Sequence, residues 1–116
     1  MTPETMKKAV VAALEDIKAS NITALNVKKL TSMTDYMVIA SGESSRQVKA
    51  LARNVVDKLK QAGAEIVGME GEETGEWVLV DLGNVIVHVM HPAVREYYNL
   101  EELWTAAPKK VRKIAG

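Results

Sequence analysis

The first apolar positions fall at helical spacing. Met6, Val10, Ala13, Leu14 and Ile17 lie three and four residues apart, which marks one face of an amphipathic helix. Thr2-Pro3-Glu4 reads as its start. A hydroxyl can accept from a free N–H, proline is preset for the first turn, and an acid suits the positive end of the helix dipole. The helix is expected to fade near Ser20–Asn21. Thr23 to Val27 is a short strand candidate, and Tyr36 to Ala40 is a stronger one that ends at Ser41-Gly42.

Ser44 precedes Gln47 by three, the spacing of a reciprocal capping box. Val48, Leu51, Ala52, Val55, Val56 and Leu59 then form an unbroken helical stripe, and Gly63 stands where a C-terminal cap belongs. Ala64 to Met69 is the next strand candidate. A strand, a helix and a strand in succession predict a right-handed crossover between parallel strands.

Beyond an acidic turn, Glu70 to Glu76, the period changes to two. Trp77 to Leu82 and Val85 to Met90 read as strands, and Gly83-Asn84 between them is a two-residue hairpin signal. That turn fixes the register. Leu82 faces Val85, Val80 faces Val87 and Val78 faces Val89, an aliphatic face that belongs against a helix. The opposite face pairs Trp77 with Met90, Leu79 with His88 and Asp81 with Ile86. It is too apolar for plain solvent and too polar for a sealed layer. An aromatic anchor, a flexible methionine and a few polar groups fit a binding surface. A covering helix, such as the C-terminal one, fits as well, and both readings stay open.

Past Pro92 a short helix is expected over Ala93–Tyr98. Asn99 then caps a last turn with Leu100, Leu103 and Trp104, and Glu102 stands at the second position of another capping box. His91-Pro92 and Tyr97-Tyr98 follow the open end of the hairpin, so with Trp77 and Met90 they can form one aromatic and apolar patch. The elements add up to an α/β (α+β) fold, a mixed five-stranded sheet with flanking helices.

Length and charge narrow the function. A chain of 116 residues, 47% hydrophobic and 26% charged, suits one domain, taken as residues 1–104. Residues 105–116 read as a flexible basic tail. They hold Lys109, Lys110, Arg112 and Lys113 and no acid, so 11 basic residues stand against 15 acidic ones in 1–104, a charge of −4. An acidic body favours a basic partner, and the tail's lysines and arginine could contact RNA phosphates without sequence preference. With no cysteine, disulfides, zinc–thiolate sites and thiol nucleophiles are excluded. No apolar run approaches the ~20 residues of a membrane span. The segment MTPETMKKAVV lacks a signal peptide's apolar stretch. A cytoplasmic protein that makes no membrane contact is expected.

Catalytic patterns fit poorly. Ser44, Asp81 and His88 follow the order of an α/β-hydrolase triad, but the elbow needs a glycine two residues after its serine, and Arg46 stands there. His88 and His91, three apart across a strand end, do not aim at one metal. Glu70, Glu72, Glu73 and Glu76 read as a solvated turn. The glycines form neither GxGxxG nor a P-loop. No metal, cofactor or catalytic residue is assigned.

Four segments carry a family resemblance: TDYMVIASG (Thr34–Gly42), SSRQVKALA (Ser44–Ala52), GEWVLVDLGNVIVHVM (Gly75–Met90) and REYYNLEELW (Arg95–Trp104). In content, order and spacing they are similar to the ribosomal silencing factor (RsfS/Iojap) family, over roughly Met6 to Trp104. The resemblance implies a nucleotidyltransferase-like fold without that enzyme's signature. In keeping with this, Glu43 follows Gly42 where a serine is needed, and Gly83 stands two residues after Asp81 where a second aspartate is needed. It implies binding to the large ribosomal subunit, through its ribosomal protein fourteen, and steric blocking of subunit joining when nutrients are short. Carried onto this chain, the contact falls on Trp77, Pro92 and Tyr98, with Asp81, His88 and Met90 beside them. Asn84, where the family usually has Asp, and Met37, where Phe is common, are mild departures. A nucleotide-binding or nucleotidyltransferase-like enzyme is the alternative, and a homodimer through the Trp77 face is a third reading.

Overall fold

The computed structural model describes residues 1–105. The basic cluster Lys109–Lys113 lies outside the described residues. The elements run α1 (Pro3–Asp16), β1 (Ser20–Asn26), β2 (Tyr36–Ser41), α2 (Ser45–Gln61), β3 (Gly68–Glu70), β4 (Trp77–Asp81), β5 (Val85–Met90), α3 (Pro92–Tyr98) and α4 (Leu100–Thr105).

Both long helices start and stop for reasons written in the chain. The Thr2 hydroxyl accepts from the Thr5 N–H at 3.1 Å, and Ser44 Oγ accepts from the Gln47 N–H at 3.1 Å. The Gln47 side chain does reach back, but it takes the N–H of Glu43, at 2.7 Å, one residue earlier than a standard capping box. Helix α2 ends in a Schellman turn. Gly63, at φ +92°, donates to the Lys60 carbonyl, and Ala64 donates to that of Leu59. The end of α1 has the same two bonds, with Lys18 rather than glycine at φ 60°.

The sheet order is β1-β2-β5-β4-β3. The hairpin register agrees with the sequence reading throughout: Trp77 pairs with Met90, Leu79 with His88, and Asp81 with Ile86. Strand β2 is parallel to β5, while β1 and β3 pair antiparallel with their neighbours. Strands β2 and β3 therefore run in the same direction but are not adjacent, because β5 and β4 lie between them. Strand β3 is shorter than the expected Ala64–Met69. The Ala64 N–H is consumed by the helix cap, and Val67, on an edge that pairs only with β4, is 61% exposed.

One face of the sheet carries the larger core. Val38, Ala40, Val78, Val80, Val85, Val87 and Val89 pack there with the buried stripes of α1 and α2. The other face has a smaller cluster of Val27, Met37, Ile39 and Met90, with Leu25, Trp77, Val94 and Leu100 against it. Helix α3 supplies Val94 and α4 supplies Leu100, so the covering helix that the sequence left open exists. It closes only part of this face.

Candidate partner-docking face

Residues 77, 79 and 81 of β4 alternate onto the second face and are half-buried, while Val78 and Val80 between them are fully buried on the other side. At its open end an aromatic series rises from the sheet into solvent. His88 is 6% exposed, Trp77 half-buried, Tyr98 54% exposed and Tyr97 81% exposed. The Trp77 and Tyr98 rings lie 5.0 Å apart at 47°, and Tyr97 meets Tyr98 edge-on at 5.0 Å. Both geometries are favoured aromatic arrangements.

The Trp77 indole Nε1–H donates to His88 Nδ1 at 2.9 Å. The imidazole must then be neutral, with its proton on Nε2. Burial favours that state and pushes the His88 pKa down from 6.5 to about 4. Cross-strand geometry explains the contact. Trp77 stands opposite Met90 and His88 opposite Leu79, which makes Trp77 and His88 diagonal neighbours on one face, within reach for long side chains.

The other residues that the sequence singled out divide between surface and support. Pro92, the first residue of α3, is half-buried beside this end of the hairpin. Met90 is completely buried and, like His88, underlies the surface rather than forming it. Asp81 is half-buried at the far end of β4, where its Oδ1 accepts from the Gly83 N–H at 2.8 Å and stiffens the hairpin turn. Ser44, Asp81 and His88 thus each have a separate partner, and the hydrolase arrangement weighed from the sequence is not assembled. The second capping box also differs. Asn99 uses its N–H to close α3 on the Arg95 carbonyl, so Glu102 meets its side-chain amide instead.

Arg95 is the residue sequence reasoning missed. It is 9% exposed, and its guanidinium donates to Glu101 Oε1 (2.6 Å), the Asn21 carbonyl (2.5 Å), Ser41 Oγ (3.0 Å) and Thr23 Oγ1 (3.1 Å). It ties α3 and α4 to the β1–β2 edge of the sheet and so sets where Tyr97 and Tyr98 stand. The Asn21 carbonyl is available because β1 carries a register shift between Ser20 and Thr23, with Asn21 at φ 48°. A lone arginine in a short helix otherwise reads as surface, and only the spacing REYYNLEELW, with Glu101 in the first turn of α4, hinted at a pair.

Among the described residues no group of three His, Asp or Glu side chains is placed to hold a metal, and no helix is long and apolar enough to cross a membrane. The molecule is thus a mixed α/β protein whose second sheet face is left partly open beneath an aromatic rim. Comparison with known proteins takes this further. The chain belongs to the family described as ribosomal silencing factor during starvation, which it matches over residues 1–115. It is 57% identical over 104 residues to the ribosomal silencing factor RsfS of Chromobacterium violaceum, covering 90% of this chain and 85% of that one. It is 43% identical over 108 residues to the Bacillus subtilis protein of the same name, covering 93% and 92%. A crystal structure of a protein from Chromobacterium violaceum superposes with a TM-score of 0.90 at 55% identity, covering 92% of this chain and 89% of that one.

Proposed function

We propose that this chain silences ribosomes by occlusion. It docks through the Trp77–Tyr98 face on ribosomal protein fourteen of the large subunit, and its bulk then prevents the small subunit from joining. Translation falls when nutrients are short, and no bond is made or broken. The protein works in the cytoplasm, where the ribosomes are. Family membership supports the ribosomal setting. The observation that carries the choice of surface is the aromatic series, half-buried at Trp77 and open at Tyr97 and Tyr98. Central aromatic anchors of this kind dominate binding energy at interfaces. The charge of −4 over residues 1–104 suits steering toward a basic surface such as ribosomal proteins commonly present.

The test is co-sedimentation of the purified chain with isolated large subunits, followed by addition of small subunits and scoring of joined ribosomes. The chain should travel with the large subunit and lower the joined fraction. Trp77→Ala should weaken binding by about 2 kcal/mol or more. A chain that stays at the top of the gradient and leaves joining untouched removes this reading. In that case, heat on titration with nucleoside triphosphates and magnesium would move a nucleotide-binding function forward.

A further inference from the structure

A tryptophan at the end of a strand has several ring orientations open to it. The one observed directs the indole N–H at an acceptor on the neighbouring strand while the ring packs against Tyr98, with centroids 5.0 Å apart. The acceptor cannot wander. His88 sits at the middle of β5, 6% exposed, paired across the strands with Ile39 and Leu79. So little of His88 reaches the surface that it offers a partner almost no contact of its own.

We propose that His88 is the positioning residue of the docking face: its Nδ1 holds the Trp77 indole in the pose the ribosomal partner receives. The proposal rests on the docking reading above and adds to it the device that prepares the anchor. A side chain fixed before binding loses less freedom on binding, and an indole N–H already satisfied from below leaves only apolar ring for the partner to cover. Loss of the acceptor leaves a half-buried donor without its partner and frees the ring to turn. Affinity for the large subunit is then expected to fall about tenfold, the loss that goes with releasing one such side chain.

The first measurement uses the unaltered chain, labelled with nitrogen-15. An N–H···N bond transmits a coupling between its two nitrogens, so Trp77 Nε1 should show one to His88 Nδ1. The chain's other tryptophan, Trp104, gives the second indole signal. Absence of the coupling overturns the proposal without any substitution. The second measurement is affinity for large subunits. His88→Leu keeps the volume and removes the acceptor, and should bind about tenfold more weakly. His88→Asn returns an acceptor near the Nδ1 position and should recover most of the loss, which a merely space-filling role for His88 would not produce. If His88→Leu does not fold, the coupling and the His88→Asn affinity decide. Wild-type affinity in His88→Leu, with binding lost in Trp77→Ala, overturns the positioning role and leaves the docking reading intact. Wild-type affinity in Trp77→Ala removes Trp77 from the interface, and the positioning role falls with it.

Discussion

Replacing Arg95 by methionine keeps the aliphatic stem and removes the guanidinium donors that tie α3 and α4 to the sheet, leaving the Thr23 hydroxyl's bond to Glu101. The four acceptors do not suffer equally. The Glu101 side chain is 30% exposed and Thr23 is half-buried, so water can reach both, and a partly exposed ion pair is worth at most about 1 kcal/mol. Ser41 is 1% exposed, and a buried oxygen left without its donor costs roughly 1–3 kcal/mol. Together Arg95→Met should cost about 2–3 kcal/mol, which in a domain this size lowers Tm by roughly 10 °C. Thermal unfolding followed by circular dichroism reads the total, and hydrogen exchange over residues 92–99 reads the local part. Glu101 supplies an independent check. Its hydrogen bond from Arg95, aided by the Arg95 charge and by Thr23 and opposed by burial, holds the carboxyl below its usual 4.5. A lowered folded value means that this contribution is present above 4.5 and lost as pH falls through the folded value. In Arg95→Met the Glu101 titration should move back up, and that part of the acid dependence should vanish. A melting temperature within about 2 °C of the parent, with α3 equally protected, would refute the clamp.

Three other outcomes follow from the same geometry. Gly71→Ala should cost about 3 kcal/mol or more in urea unfolding, since the new Cβ would stand 2.0 Å from the Trp77 carbonyl oxygen at φ +86°, a clash that only backbone movement can relieve. Ser44→Ala should cost about 1 kcal/mol through loss of the α2 cap, and an unchanged unfolding midpoint would mean the cap is redundant. Stability should also decline in mild acid. The His88 value of about 4 lies below 6.5, so the neutral-ring contribution is complete above pH 6.5 and is lost as pH falls toward 4. It should approach about 3 kcal/mol at roughly 1.4 kcal/mol per pH unit. His88 faces Ile39 and Leu79 across the strands and bonds Trp77, none of which ionises in that range. Equal acid sensitivity in His88→Asn would assign the effect elsewhere.

Local chemistry made much of the fold legible. Gly83-Asn84 fixes the hairpin register, and with it the division into an aliphatic face and a mixed one. Thr2, Ser44 and Gly63 place helix ends because each satisfies a particular backbone group. The order of strands was not legible, since placing β5 and β4 between β2 and β3 depends on which faces pack, not on any neighbour in sequence. The same limit applies at the candidate site. Trp77 and Tyr98 could be found as one patch from alternation and proximity to the hairpin end. The Trp77–His88 bond was implicit in the register, as a diagonal pair. Arg95 was hidden because Asn21, Thr23 and Ser41 are remote in the chain, and one of its acceptors exists only through a bulge that no residue pattern announced.

The open surface follows from how little helix the chain assigns to one side of its sheet. Helices α1 and α2, 14 and 17 residues long, extend roughly 21 and 26 Å at 1.5 Å per residue, and the strand residues facing them are buried from β2 across to β4. Helices α3 and α4 have 7 and 6 residues, about 10 Å each, and neighbouring strands lie about 4.8 Å apart. Their apolar contacts, Val94 and Leu100, join the cluster of Ile39 on β2 and Met90 on β5. Trp77 meets the edge of this layer at Tyr98, and residues 79 and 81 of β4, farther along the strand, stay half-buried. Lengthening this helical layer would seal the sheet and remove the site. At its present length it buries enough to hold Met90 in place, and it ends where Tyr98 can rest on Trp77. The docking face is therefore the margin of an incomplete layer, and its aromatic rings carry polar groups that tolerate being half wet.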